Sequence, residues 1–508
     1  MNSNFMASNL VTWNGAKSYD LNDVLVKLFF KSVRDISCQD YRSIAVNPGK
    51  KQQVETLNQD LEKLFDDAWA VDPLRALKFI FYLRDCREGK GEKKLFRALI
   101  RHLRVTNRGQ HVLENMKHIP LFGSWKDLLL CFLGTEFETQ ALLMIANQLK
   151  IDKGLSHPSL CAKYAPSENG AFDVKHKAAR QVAAALGVSL KVYRKKYLTM
   201  LRNKLNIVER NMCANDWETI KYETVPSIAG MNYKKAFSKH DESRYAEYLE
   251  NVKRGKTKMN TAVLMPHQII APYLKPSKLQ DETIEAQWIS FLADRKKKLG
   301  NSKINVLPLI DISGSMFTKG HPQAIEVALS LGVLFSQLNN SQQYHRKFIS
   351  FHTTPELILY PEGSLREQIN FINESNVGGS TDFQKVFDLI LNTATLSKVP
   401  AEDMPQILLV LSDMQFNQAS VNTNTNWEML NSKYEAANYQ RPMIIFWNLN
   451  GRTIDFPVPD GNISNCMLLS GYNDSIVYSL LDFEAPNPKS IVIKALDADR
   501  YNDIALAK

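Results

Sequence analysis

Val306-Leu307-Pro308-Leu309-Ile310-Asp311-Ile312-Ser313-Gly314-Ser315-Met316 is the stretch whose reading decides the fold of the C-terminal part of this chain. Five apolar residues followed at once by a carboxylate and two hydroxyls read as a buried strand opening into a polar loop. Asp311, Ser313 and Ser315 stand at alternate positions, so three hard oxygen ligands can converge on one side of a small divalent cation. Hard oxygens without Cys or His select Mg²⁺, Mn²⁺ or Ca²⁺ over zinc or copper, and Mg²⁺ is favoured by a small, hydroxyl-rich shell that leaves room for water and one exchangeable ligand. At ordinary residue frequencies Asp-x-Ser-x-Ser arises by chance about 0.15 times in a chain of this length. The bland alternative is an Asp/Ser turn held by Asx-type bonds, so context must carry the assignment.

Two further segments supply that context. Gly378-Gly379-Ser380-Thr381-Asp382-Phe383 is a Gly-rich loop opening a helix, and Ile407-Leu408-Leu409-Val410-Leu411-Ser412-Asp413 is a second buried strand ending in a carboxylate. Around them strands are expected at 304–310, 347–351, 356–360, 407–411, 443–449 and 466–469. Helices are expected at 323–338, 365–374, 383–395, 475–481 and 490–496. This alternation predicts a mostly parallel, doubly wound α/β sheet, in which ligands gather beyond the carboxyl ends of the strands.

The three segments together resemble the von Willebrand factor A family, a Rossmann-like fold whose metal-ion-dependent adhesion site has the pattern Asp-x-Ser-x-Ser, then Thr, then Asp. By that resemblance Asp311, Ser313, Ser315 and Thr381 lie in or beside the inner shell and Asp413 acts directly or through water. A carboxylate from a partner fills the last coordination position in such sites.

Upstream the pattern is different. From about Tyr19 to Ile207 apolar residues recur at helical spacing, as in Leu21-Val24-Leu25-Leu28-Phe29, Leu57-Leu61-Leu64-Phe65-Ala68 and Leu74-Leu77-Ile80-Phe81-Leu83. Asp72-Pro73 and Ser124-Trp125-Lys126-Asp127 read as helix starts. Stacked helical hairpins of the HEAT type are expected, followed by an irregular bridge at about 208–300. The domain division is therefore 1–300, helical, and 301–508, α/β.

A formal charge of +10 and a pI near 9.0 favour acidic partners, nucleic acid first. Two basic clusters stand out. Arg84, Arg87, Lys90, Lys93 and Lys94 meet at one helix joint, where they either face phosphate or pair with Asp85, Glu88 and Glu92. Lys191, Arg194, Lys195 and Lys196, with Lys175, Lys177, Arg180, Arg202 and Lys204 around them, are offset by few acids and interleaved with Tyr193 and Tyr197. Cations with aromatic faces suit a single-stranded nucleic-acid surface, although tyrosines at this spacing more often pack between helices. The six cysteines are dispersed and read as reduced thiols. No run approaches the roughly 20 apolar residues of a membrane span, so a cytoplasmic setting is expected, or a virion or viral factory if the source is a large DNA virus.

Phe81-Tyr82-Leu83-Arg84-Asp85 with Gly89-Lys90-Gly91-Glu92, Phe122-Gly123-Ser124-Trp125-Lys126-Asp127-Leu128-Leu129, Lys163-Tyr164-Ala165-Pro166-Ser167-Glu168, Val225-Pro226-Ser227 and His240-Asp241 resemble, over nearly the full length, an uncharacterised family of eukaryotes and large DNA viruses. Its members carry a helical domain of unknown function before a von Willebrand A domain. More distantly, through domain order, Trp125-x-Asp127-Leu128-Leu129, Pro266-His267-x-Ile269-Ile270 and the metal-site segments, the chain is similar to the TROVE proteins typified by Ro, in which HEAT-like helices bind small non-coding and misfolded RNAs. The resemblance implies RNA binding but transfers no individual RNA contact.

An enzyme needs a converging constellation, and the sequence offers none. Ser238, His240 and Asp241 are too close along a helix to form a triad, and Gly89-Lys90-Gly91 lacks the phosphate-cradling frame. The expectation is a non-enzymatic protein with no catalytic residue. It would bind a small non-coding or structured RNA and, through the metal, a partner Asp or Glu. A protein scaffold without RNA binding and a metal-dependent hydrolase are the second and third readings.

Overall fold

The computed structural model describes residues 10–11, 17–18, 21–33, 59–205, 207–275, 280–300, 305–317, 322–350, 354–374, 383–414, 427–451, 465–475 and 487–508. Two compact units divide the chain, and neither is continuous in sequence. One comprises Met1–Ile36, Pro226–Lys234 and Ser243–Ala495; the other Ser37–Val225, Lys235–Glu242 and Leu496–Lys508. The division expected at residue 300 follows chain order, whereas the packing groups the described residues of 1–36, 226–234 and 243–300 with the sheet and 496–508 with the helical unit. No helix among the described residues is long and apolar enough to cross a membrane.

The first unit is built on six strands: β1 (Val306–Ile310), β2 (Lys347–Ser350), β3 (Leu357–Leu359), β4 (Ile407–Ser412), β5 (Met443–Asn448) and β6 (Cys466–Ser470). Their order across the sheet is β3-β2-β1-β4-β5-β6, parallel throughout except that β3 runs antiparallel to β2 at the edge. All five residues of β1 and all six of β4 are buried, as unbroken apolar runs in a parallel sheet should be. Pairing of β1 with β2 is confined to Leu309 and Ile310, beyond Pro308, which has no N–H to contribute. Helix Ala324–Leu338 packs on β1 and β4. A Cβ on Gly332 would come within 2.3 Å of Ile310 Cδ1, so glycine sets how closely this helix approaches the sheet.

Helix Glu282–Leu299 joins the sheet unit through charged groups. The buried Glu285 carboxylate accepts the Tyr273 hydroxyl at 2.7 Å and the N–H groups of Leu365 and Arg366 at 2.8 and 3.3 Å, capping helix Leu365–Glu374. Arg295 pairs with the fully buried Asp474 at 2.5 and 3.1 Å. The first helix, Val24–Lys31, likewise rests on strand ends: Ser470 Oγ donates to Phe29 O at 2.6 Å and Asn448 Nδ2 to Phe30 O at 3.2 Å. Helix Trp427–Ala436 was not anticipated, and of its described side chains only Leu430 and Tyr434 turn inward.

The second unit is helical, and successive helices pack on their chain neighbours: Gln59–Val71 on Pro73–Arg84, that on Lys94–Val105, and Trp125–Phe132 on Glu138–Gly154. Asp72 caps Pro73–Arg84 by accepting from the Arg75 N–H at 2.9 Å, with Pro73 at the first position, and Ser124 caps Trp125–Phe132. Three of these helices, Pro73–Arg84, Lys94–Val105 and Trp125–Phe132, meet at Asp127. Arg84 Nη2 donates to Asp127 Oδ2 and Arg97 Nη2 to Oδ1, each at 2.7 Å, with Ser124 Oγ adding a bond at 2.8 Å. A Cβ on Gly123 would lie 2.7 Å from both Arg84 Nε and Asp127 Oδ2, so only glycine leaves space for the pair.

Burial alone would raise the pKa of the Asp127 carboxyl, but Arg84 and Arg97 outweigh it and hold the group at about 2. A carboxylate whose folded pKa lies below its unfolded value contributes stability above the unfolded value and loses it as pH falls. The helical unit should therefore weaken between about pH 4 and pH 2, followed by far-ultraviolet circular dichroism. Asp127→Ala, which strands two buried guanidinium groups, should cost about 3–5 kcal/mol in denaturant unfolding at neutral pH.

Candidate functional site

Because β1 is central and the chain leaves it towards β2 on one side and returns as β4 on the other, the carboxyl ends of β1 and β4 form the topological switch point of the sheet. The Asp-x-Ser-x-Ser loop leaves β1 at that point. Asp311 N donates to Leu411 O at 3.1 Å, continuing the β1–β4 ladder by one bond. Its carboxylate turns into the loop, where Oδ1 accepts the Ser313 N–H at 2.9 Å and Oδ2 accepts the Ser412 hydroxyl at 2.7 Å. The Ser313 hydroxyl also bonds to Asp311 and lies 3.1 Å from Ser315 Oγ. Asp311, Ser313 and Ser315 are thus brought together as the spacing requires. Asp413, 1% exposed, follows Ser412 at the end of β4. Thr381 and its Gly-rich loop fall outside the described residues, as does most of the helix expected at 475–481.

Ser412 was not anticipated, because it belongs to no spacing pattern. The signal was in the parallel register: Ile310 pairs with Leu411, which sets Asp311 beside Ser412.

Burial pushes the Asp311 carboxyl above the usual carboxylate range, against hydrogen bonds from Ser313 and Ser412 that hold it down. Among the described residues its hydrogen-bond partners are hydroxyls and an amide N–H. Among the described residues no group of three or more His, Cys, Asp or Glu is placed to hold a metal. The oxygens gathered here are hydroxyls as well as a carboxylate, a donor set that would fit Mg²⁺, Mn²⁺ or Ca²⁺.

The two basic clusters behave differently. At the 84–94 joint, Arg84 is buried against Asp127, and Lys90 is buried with its ammonium 5.9 Å from the Phe79 ring centre. Burial drives Lys90 well below the usual lysine range, with Glu92 opposing. Arg84 and Lys90 are corrected accordingly: neither reaches solvent, so neither is placed to meet a phosphate. Arg87 and Lys93 are exposed and Lys94 partly so, with Arg87 also donating to Leu121 O at 2.9 Å.

In the second cluster Lys191, Arg194, Lys195 and Lys196 are all exposed. Arg194, Lys195 and Lys196 lie on a π-helical segment, Tyr193–Thr199, a rare geometry that recurs at functional sites. Nine Lys or Arg and no Asp or Glu lie between Asp173 and Glu209. Tyr193 and Tyr197 face inward, 1% and 9% exposed, and the Tyr193 hydroxyl donates to Pro166 O at 2.8 Å, so the tyrosines pack rather than offer stacking faces. Arg202 and Lys204 are occupied in donating to backbone carbonyls of 153–165. Among the described cysteines Cys131, Cys161 and Cys466 are buried, while Cys213 is exposed.

Two family models match the chain, both described as domains of unknown function: DUF2828 over residues 46–141 and 141–301, and DUF7788 over residues 305–500. An uncharacterized protein, L728, of Acanthamoeba polyphaga mimivirus is 29% identical over 546 aligned positions, which cover 98% of this chain and 89% of the relative. Among solved structures, the Ro (RSR) protein of Deinococcus radiodurans is similar over 91% of this chain and 99% of that one, at 11% identity and a TM-score of 0.44.

Mg²⁺ or Mn²⁺ at a hundred times its dissociation constant should stabilise the α/β unit by about 2.7 kcal/mol. Calorimetry should find that increment in the native protein and lose it in Asp311→Ala and in the double variant Ser313→Ala/Ser315→Ala. An equal increment in all three would place the ion elsewhere.

Proposed function

We propose that this chain, which belongs to the family of the domain of unknown function DUF2828, is a non-enzymatic binding protein. It holds RNA or a ribonucleoprotein on its basic helical surface and captures a partner carboxylate at a divalent metal site in its α/β unit. The observation that carries the first part is the exposed run Lys191, Arg194, Lys195 and Lys196, set in a stretch without acids. None of the four has an ion-pair partner among the described residues, so their field is available to a polyanion, whose counterions are released on binding.

The inward-facing tyrosines bear on the kind of RNA. With Tyr193 and Tyr197 turned inward the surface recognises backbone and shape more than bases, which suits a small structured RNA. We read the helical unit as HEAT-type hairpins, in keeping with the packing of successive helices on one another.

The second part rests on Asp311, Ser313 and Ser315. A divalent ion held by these oxygens would offer an open position to a hard anionic ligand, and an Asp or Glu side chain of a partner protein has that chemistry. Asp413 and Thr381 complete the donor set in this reading.

Replacing Lys191, Lys195 and Lys196 by Glu tests the RNA surface. Filter binding to a structured RNA at low salt should show a loss of affinity. The slope of log affinity against log salt should become less negative by about 2–3, from roughly 0.7 (single-stranded) to 0.9 (duplex) for each of three lost phosphate contacts. Unchanged affinity and slope would remove RNA from this surface.

A further inference from the structure

Asp85 lies at the start of the Gly-rich joint, and its carboxylate is fully buried. Its oxygens are met from two directions. Within the joint, the Arg87 N–H donates to Oδ1 at 3.0 Å. From the far end of the chain Arg500 approaches with both edges of its guanidinium, Nε to Oδ2 and Nη2 to Oδ1 at 3.1 Å, and the Tyr501 hydroxyl donates to Oδ2 at 3.0 Å. The Tyr501 ring, 2% exposed, stacks on Phe122 at 5.3 Å and 18° and meets Tyr82 edge-on at 6.0 Å. The Arg500 guanidinium also lies over the Phe122 ring, 5.3 Å from its centre.

Further along the same segment the recognition changes to main chain. Asn115 Nδ2 donates to Ala505 O at 2.6 Å while the Ala505 N–H donates to Asn115 Oδ1 at 3.1 Å, so one side-chain amide reads both backbone groups of a residue. The Ala507 N–H donates to His111 Nδ1 at 2.9 Å. A buried carboxylate for a guanidinium, an aromatic slot for a phenol and an amide that reads the backbone are the parts of a peptide-recognition site. The helices that supply them end hundreds of residues before the segment they hold, so occupant and socket are separable.

We infer that the helical unit carries a peptide-binding socket centred on Asp85, Phe122 and Asn115, whose resident ligand is the chain's own C-terminal segment, 496–508. Supplied as a separate peptide, the same segment enters the socket whenever the resident copy is weakened. This gives the Asp85-to-Gly91 joint a role that neither the metal site nor the basic surface accounts for. It also makes residues 496–508 part of the packed helical unit.

The test uses the full chain carrying Arg500→Ala and Tyr501→Ala, its fold checked by circular dichroism, and a fluorescent peptide of residues 496–508. Anisotropy should show binding to this variant about tenfold or more tighter than to the native protein, whose own tail competes. Binding should fall by a similar factor when the peptide carries Arg500→Ala or the protein also carries Asp85→Asn. Absence of binding to the folded variant, or indifference to those two changes, overturns the inference. Should the variant not fold, the native protein decides: excess peptide must accelerate hydrogen exchange at the Ala505 and Ala507 amides, and unaltered exchange at saturating peptide overturns it.

Discussion

The Asp127 carboxylate, held between the guanidinium groups of Arg84 and Arg97, is the interaction on which the helical unit depends. It joins the end of one helix, the body of a second and the first turn of a third, all in a region from which water is excluded. Several nearby residues follow from it. Gly123 is glycine because any side chain there would collide with the pair, and Ser124 both caps its helix and adds a bond to Asp127. Charges buried in this way are constraints more than sources of stability, since their desolvation offsets most of their attraction. What they add is geometry: three helices are held to the two oxygens of one carboxylate.

Buried carboxylates are met in two ways that do not follow the division into units: Asp152 and Asp173 of the helical unit accept from amide, hydroxyl or backbone N–H groups, and others take a guanidinium. Asp127, Asp85 and Asp474 each meet arginine. Asp311 meets hydroxyls and an amide N–H at the switch point of a parallel sheet, with burial pushing its pKa up. With no basic partner among the described residues and two further hydroxyl oxygens beside it, this carboxylate is the one on which the proposed cation site rests. The same reasoning removes Arg84 and Lys90 from the list of phosphate-binding groups, because their charge is spent or suppressed inside the helical unit.

Legibility in the sequence followed the strength of the local pattern. The strands around Asp311 and Asp413 were readable because buried parallel strands are unbroken apolar runs, and Asp72 and Ser124 were readable as caps because capping is local. Helix Trp427–Ala436 escaped because two inward residues do not establish a period. The membership of helix Glu282–Leu299 escaped because Glu285 and Arg295 tie it to partners 80 and 179 residues away, through charges that a hydrophobic pattern reads as solvent-facing. The fate of the basic joint was equally hidden: nothing local distinguishes Arg84, which is buried, from Arg87, which is exposed.

The central claim, that the acid-free basic stretch of the helical unit holds RNA, is tested most directly by ultraviolet crosslinking of the full-length protein in cells, with crosslinked peptides identified by mass spectrometry and bound RNA sequenced. The account predicts nucleotide adducts concentrated on peptides from 175–204 and enrichment of structured RNA. Failure to recover RNA, or adducts confined to the α/β unit, would contradict it.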